Sequence, residues 1–148
     1  MNVRAVRHTI VTLVALHSLL LGAAMLFFPT RTLHAVGWTY DGDVFFPAQA
    51  GLFLLILGSA YIAGLWHDGF VWLLVASKVA AVLFLVFEYL LGHAPTVVFF
   101  AALLDGLMGL SVGAIMLWEL RSTVTSGRDE PARPDIEADA GNVTRSLP

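Results

Sequence analysis

Residues 45–66 read FFPAQAGLFLLILGSAYIAGLW and, after His67-Asp68-Gly69, residues 70–92 read FVWLLVASKVAAVLFLVFEYLLG. The first run has no charged residue; the second has only Lys78 and Glu88. Each run is close to the ~20 residues with which a helix crosses ~30 Å of hydrocarbon. A break as short as His67-Asp68-Gly69 forces the second helix back alongside the first, so the two are antiparallel neighbours.

Working outward, residues 9–28 and 96–120 are runs of the same kind. Pro29, Asp41-Gly42-Asp43 and Gly92-His93-Ala94-Pro95 supply the remaining turn and helix-breaking signals. The expected fold is all-α: a four-transmembrane-helix antiparallel bundle over residues 1–120, with spans at about 9–28, 45–66, 70–92 and 96–120. Composition agrees, because 58% of the 148 residues are hydrophobic and 13% are charged, and the mean hydropathy is +0.81. So small a chain has too little interior to hide that much apolar surface, so its main partner is the lipid bilayer. Arg4 and Arg7 ahead of an apolar run also suggest a signal peptide. That run exceeds the ~7–15 residues of a signal core and has no clear small-x-small cleavage site, so it is read as a helix.

Arginines set the orientation. Arg4 and Arg7 precede the first run, Arg121, Arg128 and Arg133 follow the fourth, and Arg31 stands in the first loop. The bias predicts a multi-pass protein of the bacterial cytoplasmic (inner) membrane with both termini cytoplasmic. Trp66, Trp72 and Trp118 then fall at the inner interface, and Trp38 and Tyr40 at the outer one. Beyond Leu120 the chain turns polar without apolar periodicity, and residues 121–148 are expected to form a disordered cytoplasmic tail. Its Asn142-Val143-Thr144 triplet would not meet the glycosylation machinery there.

The absence of cysteine excludes disulfides, thiolate catalysis, cysteine-held iron–sulfur clusters and c-type haem. With a net charge of −3 and no basic stripe, nucleic-acid binding is rejected. No hydrolase, phosphate-loop or dinucleotide motif appears, so an enzyme is not favoured. No cofactor or metal is expected. His17 alone lies deep enough to hold a haem, and His34 with His93 lack a carboxylate in a matched metal motif.

Ionisable residues in hydrocarbon are functional candidates by default, because each costs a few kcal/mol or more there. The candidate network is His17, Lys78 and Asp105, and Lys78 is the only lysine in the chain. Gln49, Glu88 and Tyr89 are candidates for a cavity opening outward, with Ser59 and Ser111 as supporting polar groups. Counting ~1.5 Å per residue from the outer ends puts Lys78 and Asp105 roughly 9 Å apart in depth, with His17 between. A direct salt bridge would then need helix tilt, and a chain Lys78, His17, Asp105, bridged by water if need be, is expected. Two readings stay open: a register pin between helices, or a polar cavity that binds a head group or relays a proton. Small residues at helical spacing, Gly51, Gly58, Ala60 and Gly64, then Ala102, Gly106, Gly109 and Gly113, permit close helix contacts.

Phe46-Pro47-Ala48-Gln49-Ala50-Gly51, Leu57-Gly58-Ser59-Ala60-Tyr61, Ser77-Lys78 and Leu104-Asp105-Gly106 together resemble small uncharacterised bacterial four-helix membrane proteins, loosely DoxX-like. The likeness covers about residues 9–120. It implies an accessory role beside a quinone-coupled redox enzyme. Similar sequences often carry a basic residue beside the position of Gln49 that this chain lacks, so only Lys78 and Asp105 carry over. The expected function is a binding, accessory or assembly subunit, with a membrane enzyme or a homo-oligomer as candidate partner. The alternatives are a small transporter or proton-relay protein, with Asp105 as the titrating carboxylate, and a quinone-linked redox accessory subunit.

Overall fold

The computed structural model describes residues 3–39 and 42–126. Among them lie five helices and no strand: α1 Val3–Phe27, α2 Pro29–Ala35, α3 Phe45–Ala63, α4 Asp68–Leu90 and α5 Thr96–Ser126. All but α2 are long and apolar enough to cross a membrane. Each of these four carries large apolar side chains on the outside of the bundle, for example Leu20, Ile56, Leu83 and Leu110 at 62, 57, 68 and 71% exposure. Water would make such a surface an aggregation site, whereas lipid solvates it. The chain is a multi-pass membrane protein.

Two features depart from the expected layout. The connection after α1 contains α2, because Pro29 occupies its first turn, where a missing N–H costs nothing and the fixed φ suits a helix. Gly37, at φ 77°, ends α2: its N–H donates to the His34 carbonyl while that of Trp38 donates to Leu33. Only a residue free to adopt positive φ closes a helix in this way. At the other end of the chain, α5 continues past Leu120 to Ser126, into the segment expected to be a disordered tail. Its backbone ladder propagates beyond the apolar run because helix extension adds a hydrogen bond per residue once the nucleus exists. Residues 127–148 lie outside the described residues.

The long helices run alternately up and down. α1 and α3 form one tight antiparallel pair. A Cβ on Gly22 would meet the Gly51 carbonyl oxygen at 2.8 Å, and one on Gly51 would meet the Leu26 nitrogen at 2.5 Å, so the two backbones touch. α4 and α5 form the second pair, with Gly106, Gly109 and Gly113 facing Val82, Lys78 and Val75. A buried cluster of Val11, Val14, Ala15, Tyr61, Val71, Leu74, Val112 and Met116 joins all four long helices. It lies in the half of the bundle that also holds Arg7, called here the Arg7 end. Trp66, Trp72 and Trp118 are exposed at that same end, as interfacial rings prefer.

Candidate functional site

Lys78 and Asp105 meet directly. The Lys78 Nζ donates to Asp105 Oδ1 at 2.6 Å, with side-chain exposures of 6% and 17%. The expected separation in depth is overcome in two steps. Gly109 sits opposite Lys78, where a Cβ would lie 3.0 Å from the Lys78 Cβ, so Asp105 is one turn, ~6 Å, along α5 from that level. The flexible four-carbon stem of lysine spans the remaining turn. Glycine at 109 is therefore part of the site: it frees the space in which the stem lies against α5.

The pair lines a groove of about 700 Å³ between α4 and α5. Every other lining residue is aliphatic, aromatic or glycine, with Val75, Val79, Val82 and Val86 on α4 and Phe99, Leu103 and Leu110 on α5 among them. Val79, Leu83, Leu103, Leu110 and Leu117 are exposed, so the groove opens onto the lipid-facing surface of the bundle. One ion pair thus interrupts an otherwise apolar channel.

The other candidates are dispersed. His17 is half-buried on α1, and no hydrogen bond joins it to Lys78 or Asp105 among the described residues. The buried stripe of α1 runs through Arg7, Val11, Val14, Ala15, Ser18 and Gly22, and His17 stands beside it. Gln49 is exposed on α3. Glu88 Oε2 pairs with His93 Nδ1 at 3.1 Å, and Tyr89 packs against Phe99 with ring centroids 5.3 Å apart. Gly92, at φ 75°, makes the turn that returns His93 to Glu88: the Gly92 N–H donates to Tyr89 and the His93 N–H to Glu88. Ser59 and Ser111 are exposed, and each hydroxyl donates to its own helix, at the Leu55 and Leu107 carbonyls. That bond satisfies a serine in hydrocarbon without a partner from another helix.

A second buried ionic cluster lies at the Arg7 end and was not anticipated from sequence. Arg7 Nη1 donates to Asp68 at 3.0 Å and Glu119 at 2.9 Å, and also contacts the Met116 sulfur. The Arg7 side chain is 8% exposed, against 69% for Asp68 and 28% for Glu119. One guanidinium therefore ties α1 to the start of α4 and the last turns of α5. Nearby, the Tyr61 hydroxyl bonds to Ser77 Oγ, which in turn donates to the Leu74 carbonyl, linking α3 to α4.

The described residues contain no group of three metal-ligating side chains. No family model, curated protein or solved structure matches the chain.

Proposed function

We propose that this chain is a non-catalytic binding subunit of the bacterial cytoplasmic membrane, engaging an apolar partner from within the bilayer at the α4–α5 groove. The observation that carries this reading is the Lys78–Asp105 pair, bonded at 2.6 Å in the wall of a groove otherwise lined by apolar residues and glycine. Ligand sites in general combine apolar walls with a few placed polar groups that fix orientation. A pin between two helices needs no such opening; a binding site does. The DoxX-like resemblance extends the same reading to an assembly role beside a membrane enzyme.

The test is photo-crosslinking in native membranes, with a photoreactive amino acid at Val79 in the groove or at Ile56 on the far side of the bundle. Val79 should give a discrete adduct that Ile56 does not. Identical adducts with bulk phospholipid at both positions would overturn the reading.

Orientation belongs to the same proposal, with the Arg7 end in the cytoplasm, as the arginine bias and the tryptophans at that end both favour. The chain has no cysteine, so single cysteines report cleanly. In intact cells a membrane-impermeant maleimide should label His93→Cys and spare Ser122→Cys, and the reverse pattern would invert the topology.

A further inference from the structure

We infer, resting on the binding role just proposed, that the occupant of the α4–α5 groove is a neutral single-chain lipid whose carbonyl or hydroxyl oxygen is held at Lys78. Three observations converge on this chemistry. The first is unused hydrogen-bonding capacity. An ammonium has three donors. Lys78 gives one to Asp105 Oδ1, the other two find no acceptor among the described residues, and Asp105 Oδ2 receives no bond from them. A side chain with 6% exposure in apolar surroundings stabilises any oxygen that can accept one of those protons.

The second is charge. Lys78 and Asp105 neutralise each other, so a phosphate or carboxylate head group would have to draw Lys78 away from a carboxylate already bonded at 2.6 Å. A neutral oxygen can use the free donors without breaking that bond. The third is depth. Along α5 the groove runs from Phe99 to Leu117, which puts Asp105 ~9 Å from one end and ~18 Å from the other. Phospholipid head groups lie outside the ~30 Å hydrocarbon core and cannot descend to that level. A lipid with a small uncharged polar group can, and its chain would lie along Val79, Leu83, Leu103 and Leu110.

The test uses the full chain in nanodiscs and two diazirine probes with the same hexadecyl chain, one ending in a hydroxyl and the other in a phosphate. Labelled peptides are located by mass spectrometry. The alcohol should label α4 and α5 within the groove, and Lys78→Met with Asp105→Leu should reduce that labelling at least about tenfold, the scale of losing a hydrogen bond to a charged group. Leu110→Trp, which enlarges a lining side chain of the groove and leaves Lys78 and Asp105 in place, should reduce it as well and covers the case of a double variant that does not fold. Groove labelling unchanged in both variants, or equal groove labelling by the phosphate, overturns the inference. A protein adduct at Val79 in native membranes with no groove labelling by the alcohol also overturns it, but leaves the binding role standing. No specific adduct by either method removes both.

Discussion

Lys78 can be removed in two ways with opposite consequences. Lys78→Met alone leaves the Asp105 carboxylate, 17% exposed, without its counter-ion in an apolar wall. Breaking a buried pair from one side costs about 3–5 kcal/mol, and in a small helical membrane protein that is much of the total stability. Replacing both partners at once, Lys78→Met with Asp105→Leu, removes the desolvation of two ions together with their attraction, which is neutral or stabilising by about 1–4 kcal/mol. Thermal unfolding in detergent, followed by circular dichroism, should show the single variant melting well below the wild type and the double variant at or above it. A double variant as unstable as the single would mean that the pair holds the helices by more than mutual neutralisation. Arg7 follows the same logic with unequal partners. Glu119→Gln should lower the melting temperature more than Asp68→Asn, because Asp68 is 69% exposed and Glu119 28%, and solvent screens the exposed bond. Equal effects would show that exposure does not grade the two bonds.

Between elements, glycines decide which helices pair, and the same substitution should act with opposite sign at two of them. A Cβ on Gly51 would lie 2.5 Å from the Leu26 backbone nitrogen. No rotamer relieves that clash, so Gly51→Ala must push α1 and α3 apart and should cost about 1–3 kcal/mol or more. At Gly69, in the first turn of α4, a Cβ meets nothing within 4 Å, and Gly69→Ala should gain up to about 0.5–1 kcal/mol through backbone entropy and helix propensity. Denaturation by increasing mole fraction of SDS measures both, and a neutral Gly51→Ala would remove the argument for backbone contact. The same elements show what the sequence alone makes readable. Long helices follow from apolar runs, since in hydrocarbon only a helix or a closed barrel satisfies its own backbone. The small-residue spacing in the second and fourth runs marked the pairing faces, because close approach needs missing side chains. Depth counting set Lys78 and Asp105 roughly 9 Å apart and pointed away from a direct bond; the bond forms through the register set by Gly109 and the reach of the lysine stem. Arg7 is the instructive omission: read as an inner-side positive charge, it also lies at helical spacing before Val11, Val14, Ser18 and Gly22, and that phase places it on the buried stripe. α2 went unread for the opposite reason, since Pro29 is equally suited to ending a helix and to starting one.

Across the whole molecule, cohesion is unevenly distributed. The buried cluster that touches all four long helices, the Arg7 cluster and the Tyr61–Ser77 bond all lie toward one end. Toward the other end, the bonds that position the helices fall inside one pair or the other. Gly22 meets Gly51 between α1 and α3, the Thr32 hydroxyl donates to the Ala24 carbonyl between α2 and α1, and Tyr89 packs on Phe99 between α4 and α5. A bundle fastened in this way should behave as two hairpins clamped at the Arg7 end, with its widest fluctuations between α3 and α4 far from the clamp. Spin labels test this, because the cysteine-free chain accepts them in pairs. Phe53 with Phe87 reports across the hairpins away from the clamp, Ile62 with Leu73 reports across them beside it, and Phe87 with Phe100 reports within one hairpin; all five positions are exposed. The first pair should give the broadest distance distribution. Arg7→Leu should broaden the second toward the first and leave the third unchanged, because the α4–α5 pair is held by its own glycines and by Lys78 with Asp105. Equal widths for the first two pairs in the wild type would mean that the four helices move as one body and that the Arg7 cluster is not the clamp.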